Sequence, residues 1–350
     1  VDSQTWRWML GSEILPALIW FFLLFTIPES PDWLVSKNKI DSAKKVLGKI
    51  MPAPSIDVRI DETLKGLALS GGNRSILSQL KEIFSGRMRT ILIIATTIAI
   101  AQQSTGINAI LFYAPTVFEQ LGLGTDAAFA QAIYIGLVSV VFTILAILLI
   151  DKVGRKPMIV WGMVWIILSL GVCSYGFSSA TYRITQETLN EIKDLEGAAD
   201  LHVLIGKEFN SDTEFKQAVK LAIGETSFRE NTGLLLEKAT DVNANLILIG
   251  LLSFIAAFHF SIGPIMWVLF SEIFPVSIRG IAIPFFTIIT SLTNYLVQQF
   301  FPWQLATMGS SAIFLFYAVT VFIGLILLSI YLKETKNLSI EEVRLALRAK

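Results

Sequence analysis

Seven windows of the sequence are apolar and nearly free of charge: 8–27, 90–113, 130–150, 158–177, 244–270, 281–301 and 311–332. Crossing a bilayer takes a helix of about 20 mostly apolar residues, because hydrocarbon leaves every backbone amide to find its partner within the segment. Each window therefore predicts a spanning helix, and the fold class is all-α, a polytopic membrane protein. Gly263-Pro264 interrupts the fifth window. Proline removes a backbone donor and clashes with the preceding turn, so that helix is expected to kink or split.

Two long polar segments separate these windows. In 28–89 the prolines of "PESPDWL" stop the first span. The following "SKNKIDSAKKVLGKI" puts Ile40, Ala43, Val46, Leu47 and Ile50 on one face of a short amphipathic helix. Segment 178–243 holds twelve acidic residues, and its Ser211 and Glu214 stand at capping-box spacing. A segment of that length makes a marginal core. A mobile acidic cap with short helices is expected there, not an independent catalytic domain.

Basic residues in the connections give the orientation. Segment 28–89 holds eleven Lys and Arg, the 151–157 loop three, the 271–280 loop one and the tail from Lys333 five, whereas 114–129 and 302–310 hold none. Segments 28–89, 151–157, 271–280 and the C-terminus thus face the cytoplasm. Segment 178–243 has seven basic residues but is long enough to cross regardless of charge, and it is placed outside. The resulting organisation is a first span in 1–27, a cytoplasmic helical linker in 28–89 and three spans in 90–177. An extracytoplasmic insertion follows in 178–243, then three spans in 244–332 and a cytoplasmic tail in 333–350. Such a chain belongs in the cell membrane (the inner membrane in a Gram-negative cell), with the bilayer as a partner.

Composition agrees. Only 16% of residues are charged, against roughly 25% in soluble proteins, and the net charge of zero gives no sign of nucleic-acid binding. Cys173 is the single cysteine, and His202 and His259 are the only histidines. No intrachain disulfide, metal cluster or cofactor is expected, and no nucleophile–base–orienter set marks an enzyme.

One window breaks its own rule. "QQSTGINAILFYAP", residues 102–115, puts Gln102, Gln103, Ser104, Thr105 and Asn108 into an apolar run. At 1.5 Å per residue Gln102 lies about 20 Å beyond Arg89, near mid-membrane, and Asn108 projects about 240° round the helix from Gln102. Either Asn108 bonds a neighbouring helix, or the helix unwinds around Gly106. The amides are interhelical glue, at about 0.6 kcal/mol each, or they line a wet site for a neutral, hydroxyl-rich solute. Carboxamides both donate and accept, and five polar residues in seven positions exceed what glue requires. Polar residues at that depth are a functional-site hypothesis by default, and the interrupted helix at Gly263 supports it, since broken helices mark transporter sites. His259 is also at mid-depth. Trp267 lies past the break, where an aromatic can floor a sugar site.

"QQSTGINAILFYAP", "DKVGRKP", "IGPIMWVLFSEIFPVSIRG" and "PESPDWL", in this order and spacing, resemble the sugar porters of the major facilitator superfamily, the D-xylose:proton symporters in particular. The resemblance runs from about Trp6 to Leu338, excluding 178–243. It implies the major facilitator fold, of which this chain would supply the C-terminal six-helix half plus the last helix of the N-terminal half. The chain opens on Val1 and would lack five N-terminal spans, so the missing N-terminal transmembrane half is an expected partner.

The resemblance assigns sugar contacts to Gln102, Gln103 and Asn108, and outer-gate aromatics to Phe112 and Tyr113. It places Trp267 under the sugar and His259 and Gly263 on the same flexible segment, with Asn294 in the family pattern. Ser139 and Thr290, with Ser291, replace larger family residues and imply a roomier pocket. Asp151, Arg155, Glu272, Arg279 and Glu334 resemble the family's cytoplasmic salt-bridge latch. Asp32 departs from an arginine of the family pattern, and Lys333 and Asn337 from a proline and a glycine. The implied function is sugar transport by alternating access, of a pentose or hexose taken up with protons. The alternatives are a non-transporting sugar sensor on the same fold, a facilitative uniporter and a cyclitol transporter.

Overall fold

Each apolar window is occupied by helix in the computed structural model, which describes residues 5–69, 75–114, 117, 125–192, 197–336, 338 and 342. Arg74, Pro115, Asn337 and the tail charges Arg344, Arg348 and Lys350 lie outside the described residues. Five described stretches are long and apolar enough to cross a bilayer: Gly86–Phe112, Ile133–Val153, Arg155–Ser178, Ala244–Ile273 and Ser277–Tyr331. The last is too long for one crossing and turns at Gly309, where φ 81° and ψ 168° divide it into two spans. The first window holds the shorter apolar helix Ile14–Leu24, no residue of which is buried.

The chain divides into two units. The first comprises Val1–Gln79 and Val276–Gly280. Its linker folds as helices Pro31–Ser36, Ile40–Leu47 and Ala53–Leu69 around Leu34, Val35, Ala43, Leu47 and Ile60. The amphipathic reading holds for Ala43 and Leu47, while Ile50, past the end of the helix, is 70% exposed. Asp32 is engaged within this unit: it accepts from Thr63 Oγ1 at 3.1 Å and pairs with Arg59 at 3.4 Å.

The second unit comprises Leu80–Pro275 and Ile281–Lys350. Helices Arg155–Ser178 and Ala244–Phe260 pack closely within it because small residues meet at the seam. A methyl on Gly162 would overlap Ser261, and one on Gly176 would overlap Ile247. The fifth window does split, but at Ser261 (φ −130°, ψ −107°), between helices Ala244–Phe260 and Ile262–Ile273. Pro264 is the cause at a distance. Its ring would clash with the carbonyl four residues back, whereas in the first turn of a new helix its missing N–H is no loss.

Segment 178–243 departs from three expectations. The all-α reading holds for the spans, but the insertion adds three short antiparallel strands, β1 (Thr181–Arg183), β2 (Glu208–Phe209) and β3 (Thr240–Asp241), in the order β2-β1-β3. Its core is not marginal: Tyr182, Leu201, Phe215, Val219, Leu235 and Leu236 are all at most 1% exposed. Tyr182 stacks on Phe215 at 5.5 Å, so strand and helix share one apolar centre. The capping box does not form, because the hydroxyl of Ser211 lies against that of Thr213 at 2.6 Å instead.

Candidate functional site

The polar stretch folds as a helix, a break and a second short helix. Arg89–Gln103 ends at Ser104, Gly106 takes φ 79°, and Ile107–Phe112 resumes the climb. The left-handed conformation is one that glycine adopts without strain, and here it also admits a ring: a methyl on Gly106 would lie 2.7 Å from Tyr317 Cδ2 and Cε2. Both sequence alternatives for Asn108 are realised, since the helix unwinds and Asn108 reaches across to Asn294.

The break lines up five carboxamides. Gln102 Nε2 donates to the Gly263 carbonyl at 2.9 Å, and Gln103 Nε2 donates to Gln102 Oε1 at 3.0 Å. Asn108 Nδ2 donates to Gln103 Oε1 at 2.8 Å and to Asn294 Oδ1 at 3.0 Å, which also receives Gln298 Nε2 at 2.8 Å. The line thus runs from the broken helix at Gly263, through the broken helix at Gly106, to the helix carrying Asn294 and Gln298. Among the described residues, nothing donates to Asn108 Oδ1 or Gln298 Oε1.

The positions along this line differ. Gln102 is 4% exposed, and its bond to Gly263 makes it a brace between two broken spans. Gln103, Asn108, Asn294 and Gln298 are half-buried. Asn294 and Gln298 line a hollow of about 380 Å³, together with Tyr113, Ser291, Tyr295 and Gln299. Tyr113 stacks on Phe301 at 5.1 Å, and Phe301 stacks in turn on Tyr317 at 6.5 Å. Phe112 is exposed.

Other expected contacts stand apart from the line. Ser139 and Thr290 turn their hydroxyls back to the carbonyls of Ile135 and Phe286, at 2.8 and 3.0 Å. His259 Nδ1 lies 3.2 Å from Thr143 Oγ1. Trp267, one turn beyond Gly263, is 47% exposed with its ring edge-on to Phe270. Gln298 and Gln299 escaped the sequence reading. The signal was present in "NYLVQQF", three amides in an apolar run, which is the pattern that singled out 102–108.

A second polar cluster gathers Asp151, Arg155, Glu272 and Glu334. Arg155 Nη2 pairs with Glu272 at 2.8 Å and with Asp151 at 3.0 Å. Asp151 is 79% exposed and Glu272 only 22%, so the Glu272 arm is the less screened of the two. Thr335 Oγ1 donates to the other Glu272 oxygen at 2.6 Å. Arg279 belongs to the first unit.

Glu334 does something a salt-bridge reading did not foresee. Its carboxylate receives the backbone N–H groups of Arg155, Lys156, Thr335 and Lys336, at 2.8–3.1 Å. Two of those belong to the first turn of Arg155–Ser178, where amides are orphaned and the dipole favours an anion. Gly154 (φ 105°) clears the way, since a methyl there would sit 2.6 Å from Glu334 Oε2. Glu334→Ala is expected to cost about 2–4 kcal/mol, the sum of lost charge-assisted bonds and dipole pairing. A lowered melting temperature of the purified protein would register it, and an unchanged one would remove the clasp from the stability of this end.

The "Sugar (and other) transporter" family model matches residues 1–192 and 220–347. The D-xylose-proton symporter of Escherichia coli (strain K12) is 30% identical over 351 residues, covering 98% of this chain and 57% of that protein. The probable metabolite transport protein CsbC of Bacillus subtilis (strain 168) is 28% identical, covering 99% and 61%. Among solved structures, the major facilitator superfamily proton:xylose symporter XylE bound to 6-bromo-6-deoxy-D-glucose matches with a TM-score of 0.69 at 28% identity, over 98% of this chain and 59% of that one. The chain therefore spans about three-fifths of the length of these relatives. With most of its length matched by that model, the chain belongs to the sugar transporter family of the major facilitator superfamily, a family of transporters and not of enzymes.

Proposed function

We propose that this chain holds the sugar site of a membrane transporter that works by alternating access, taking up a monosaccharide, pentose or hexose, together with protons. The observation that carries the reading is the line Gln103–Asn108–Asn294–Gln298, whose last two members line an open hollow. Its volume of about 380 Å³ lies in the range of roughly 300–1,000 Å³ usual for small-molecule sites. The relatives named as a xylose-proton symporter and its sugar-bound structure support the substrate class.

The chemistry is exchange, with no covalent step. The carboxamides are bonded to one another along the line. A sugar hydroxyl both donates and accepts, and it can replace an amide–amide bond one for one. Asn108 Oδ1 and Gln298 Oε1 receive further hydroxyls. Gln102 holds the frame in this scheme, Trp267 offers its face to the apolar side of the ring, and Phe112 and Tyr113 close the outer end. His259, with Thr143, walls the site. The Arg155–Glu272 pair and the Glu334 clasp, with Asp151, form the cytoplasmic latch, whose breaking biases the two states.

Counterflow of labelled xylose, arabinose and glucose in proteoliposomes of the complete gene product tests the reading. Saturable exchange of one of them, accelerated by an inward proton gradient, is the expected result. Saturable binding without exchange would make the protein a sensor, and exchange indifferent to the gradient would make it a uniporter.

A further inference from the structure

The insertion has no part in the scheme above, yet it is fastened to it. Asp212, the first residue of helix Asp212–Ile223, has a side chain only 6% exposed. Its Oδ1 accepts the backbone N–H of Ser310 at 3.3 Å, and its Oδ2 accepts the Ser310 hydroxyl at 3.1 Å and pairs with Lys216 at 2.9 Å. Ser310 begins the last span, directly after the turn at Gly309, so a carboxylate again sits on an orphaned amide at a helix start. Gly309 (φ 81°) makes room, since a methyl there would lie 2.6 Å from Asp212 Oδ1. The arrangement repeats the Gly154–Glu334 clasp at the other end of the same span, but from a different source. Residues 193–219, Asp212 among them, fall outside the stretches that the family model matches.

What the clasp holds bears on the site. Two turns beyond Ser310, Tyr317 puts its ring into the notch at Gly106, and Thr320 Oγ1 donates to the Ser104 carbonyl at 2.8 Å. The last span therefore grips both sides of the break from which Gln103 and Asn108 project. Tyr317 also abuts Phe301, and Phe301 abuts Tyr113. At the insertion's end, Asp212 lies one turn from Phe215, which is fully buried in the insertion's core. A contiguous run of packed groups joins that core to the gate.

We propose that Asp212 is a positioning residue through which the insertion sets the stance of the last span and thereby of the gate segment Ile107–Phe112. The proposal rests on reading Phe112 and Tyr113 as the gate. Its test uses no sugar, so it can fail while the transport reading stands, and the reverse.

Cysteine labelling by a membrane-impermeant maleimide reads the two ends separately, and this chain's native Cys173 is buried. Phe112→Cys reports the gate. Val219→Cys, a near-isosteric change at a fully buried position of the insertion's core, reports whether the insertion stays folded. Adding Asp212→Asn is expected to change the labelling rate at Phe112→Cys by roughly threefold or more, with Val219→Cys still protected. Ser310→Ala, which removes only the hydroxyl arm, should shift the rate in the same direction by less. Together with Asp212→Asn it should add little, because both act on one contact. An unchanged rate at Phe112→Cys overturns the proposal. So does reactivity at Val219→Cys, which would reduce Asp212 to holding its own domain together. Where Asp212→Asn yields no protein, an unchanged rate in Ser310→Ala overturns it equally.

Discussion

Asn108→Ala is expected to abolish saturable sugar binding while leaving the protein folded. Asn108 is the only member of the amide line that donates to two others, and its removal strips Gln103 Oε1 and Asn294 Oδ1 of a donor at once. Asn294 Oδ1 keeps its bond from Gln298, but Gln103 Oε1 is left without a donor, which costs roughly 1–3 kcal/mol if it stays dry, so affinity should fall by about tenfold or more. Gln103→Ala, which removes the next link, should weaken binding comparably. Gln102→Ala offers the contrast. Its amide is buried against Gly263, so the loss should appear as reduced thermal stability, near the ~0.6 kcal/mol of an interhelical bond, with affinity little changed. Titration calorimetry with the sugar identified by counterflow separates the cases. Equal affinities in all three variants would take the whole line out of the site. A loss at Gln102 as large as at Asn108 would mean that the brace and the site are one.

The spans were legible because a bilayer reduces folding to a one-dimensional rule: a run is apolar for long enough or it is not. The amide cluster was legible for the same reason, as an exception that hydrocarbon does not tolerate without cause. Telling Gln102 from Gln103 was beyond the sequence, since which of two adjacent amides is buried depends on where the Gly263 carbonyl lies. The split at Ser261 shows a similar shift, because the residue that breaks a helix need not be where the break falls. In the insertion, Ser211 and Glu214 had capping-box spacing. Asp212, one of the two residues between them, instead caps a helix that starts 98 positions later. Long-range capping leaves no local pattern. Glycines in positive φ were the one trace: Gly154 and Gly309 each stand where a carboxylate from elsewhere closes on a helix start.

The two clasps also suggest how one span can serve two ends. The helix from Ser310 to Tyr331 is anchored by Asp212 at its start, and the chain just past its end anchors the start of Arg155–Ser178 through Glu334. Between them lie Tyr317 and Thr320, the residues that touch the broken helix. A span fixed at both ends and gripping the break in its middle can pass a displacement from either end to the amides. Packed interfaces move between discrete arrangements, not continuously.

That grip makes Gly106 the least replaceable position in the polar stretch. Gly106→Val is expected to leave little folded protein. A β-branched residue in the left-handed region costs about 1–3 kcal/mol, and forcing extra atoms into a filled site about 1–3 kcal/mol more. Which term dominates can be decided by comparing Gly106→Ala with Gly106→Asn. Asparagine tolerates positive φ better than alanine but is larger. The Tyr317 ring has little room to retreat: it is 2% exposed, it backs onto Phe301, and its hydroxyl donates to Gln304 at 3.2 Å. A contact at 2.7 Å is far inside the optimum of about 3.5–4.0 Å between carbon atoms, so sterics should outweigh the dihedral. Melting temperature and folded yield should fall in the order alanine, asparagine, valine. If asparagine instead outperforms alanine, the backbone angle sets the requirement and Tyr317 yields. In that case the ring is a cover over the break, and the last span's hold on the amides comes from Thr320 alone.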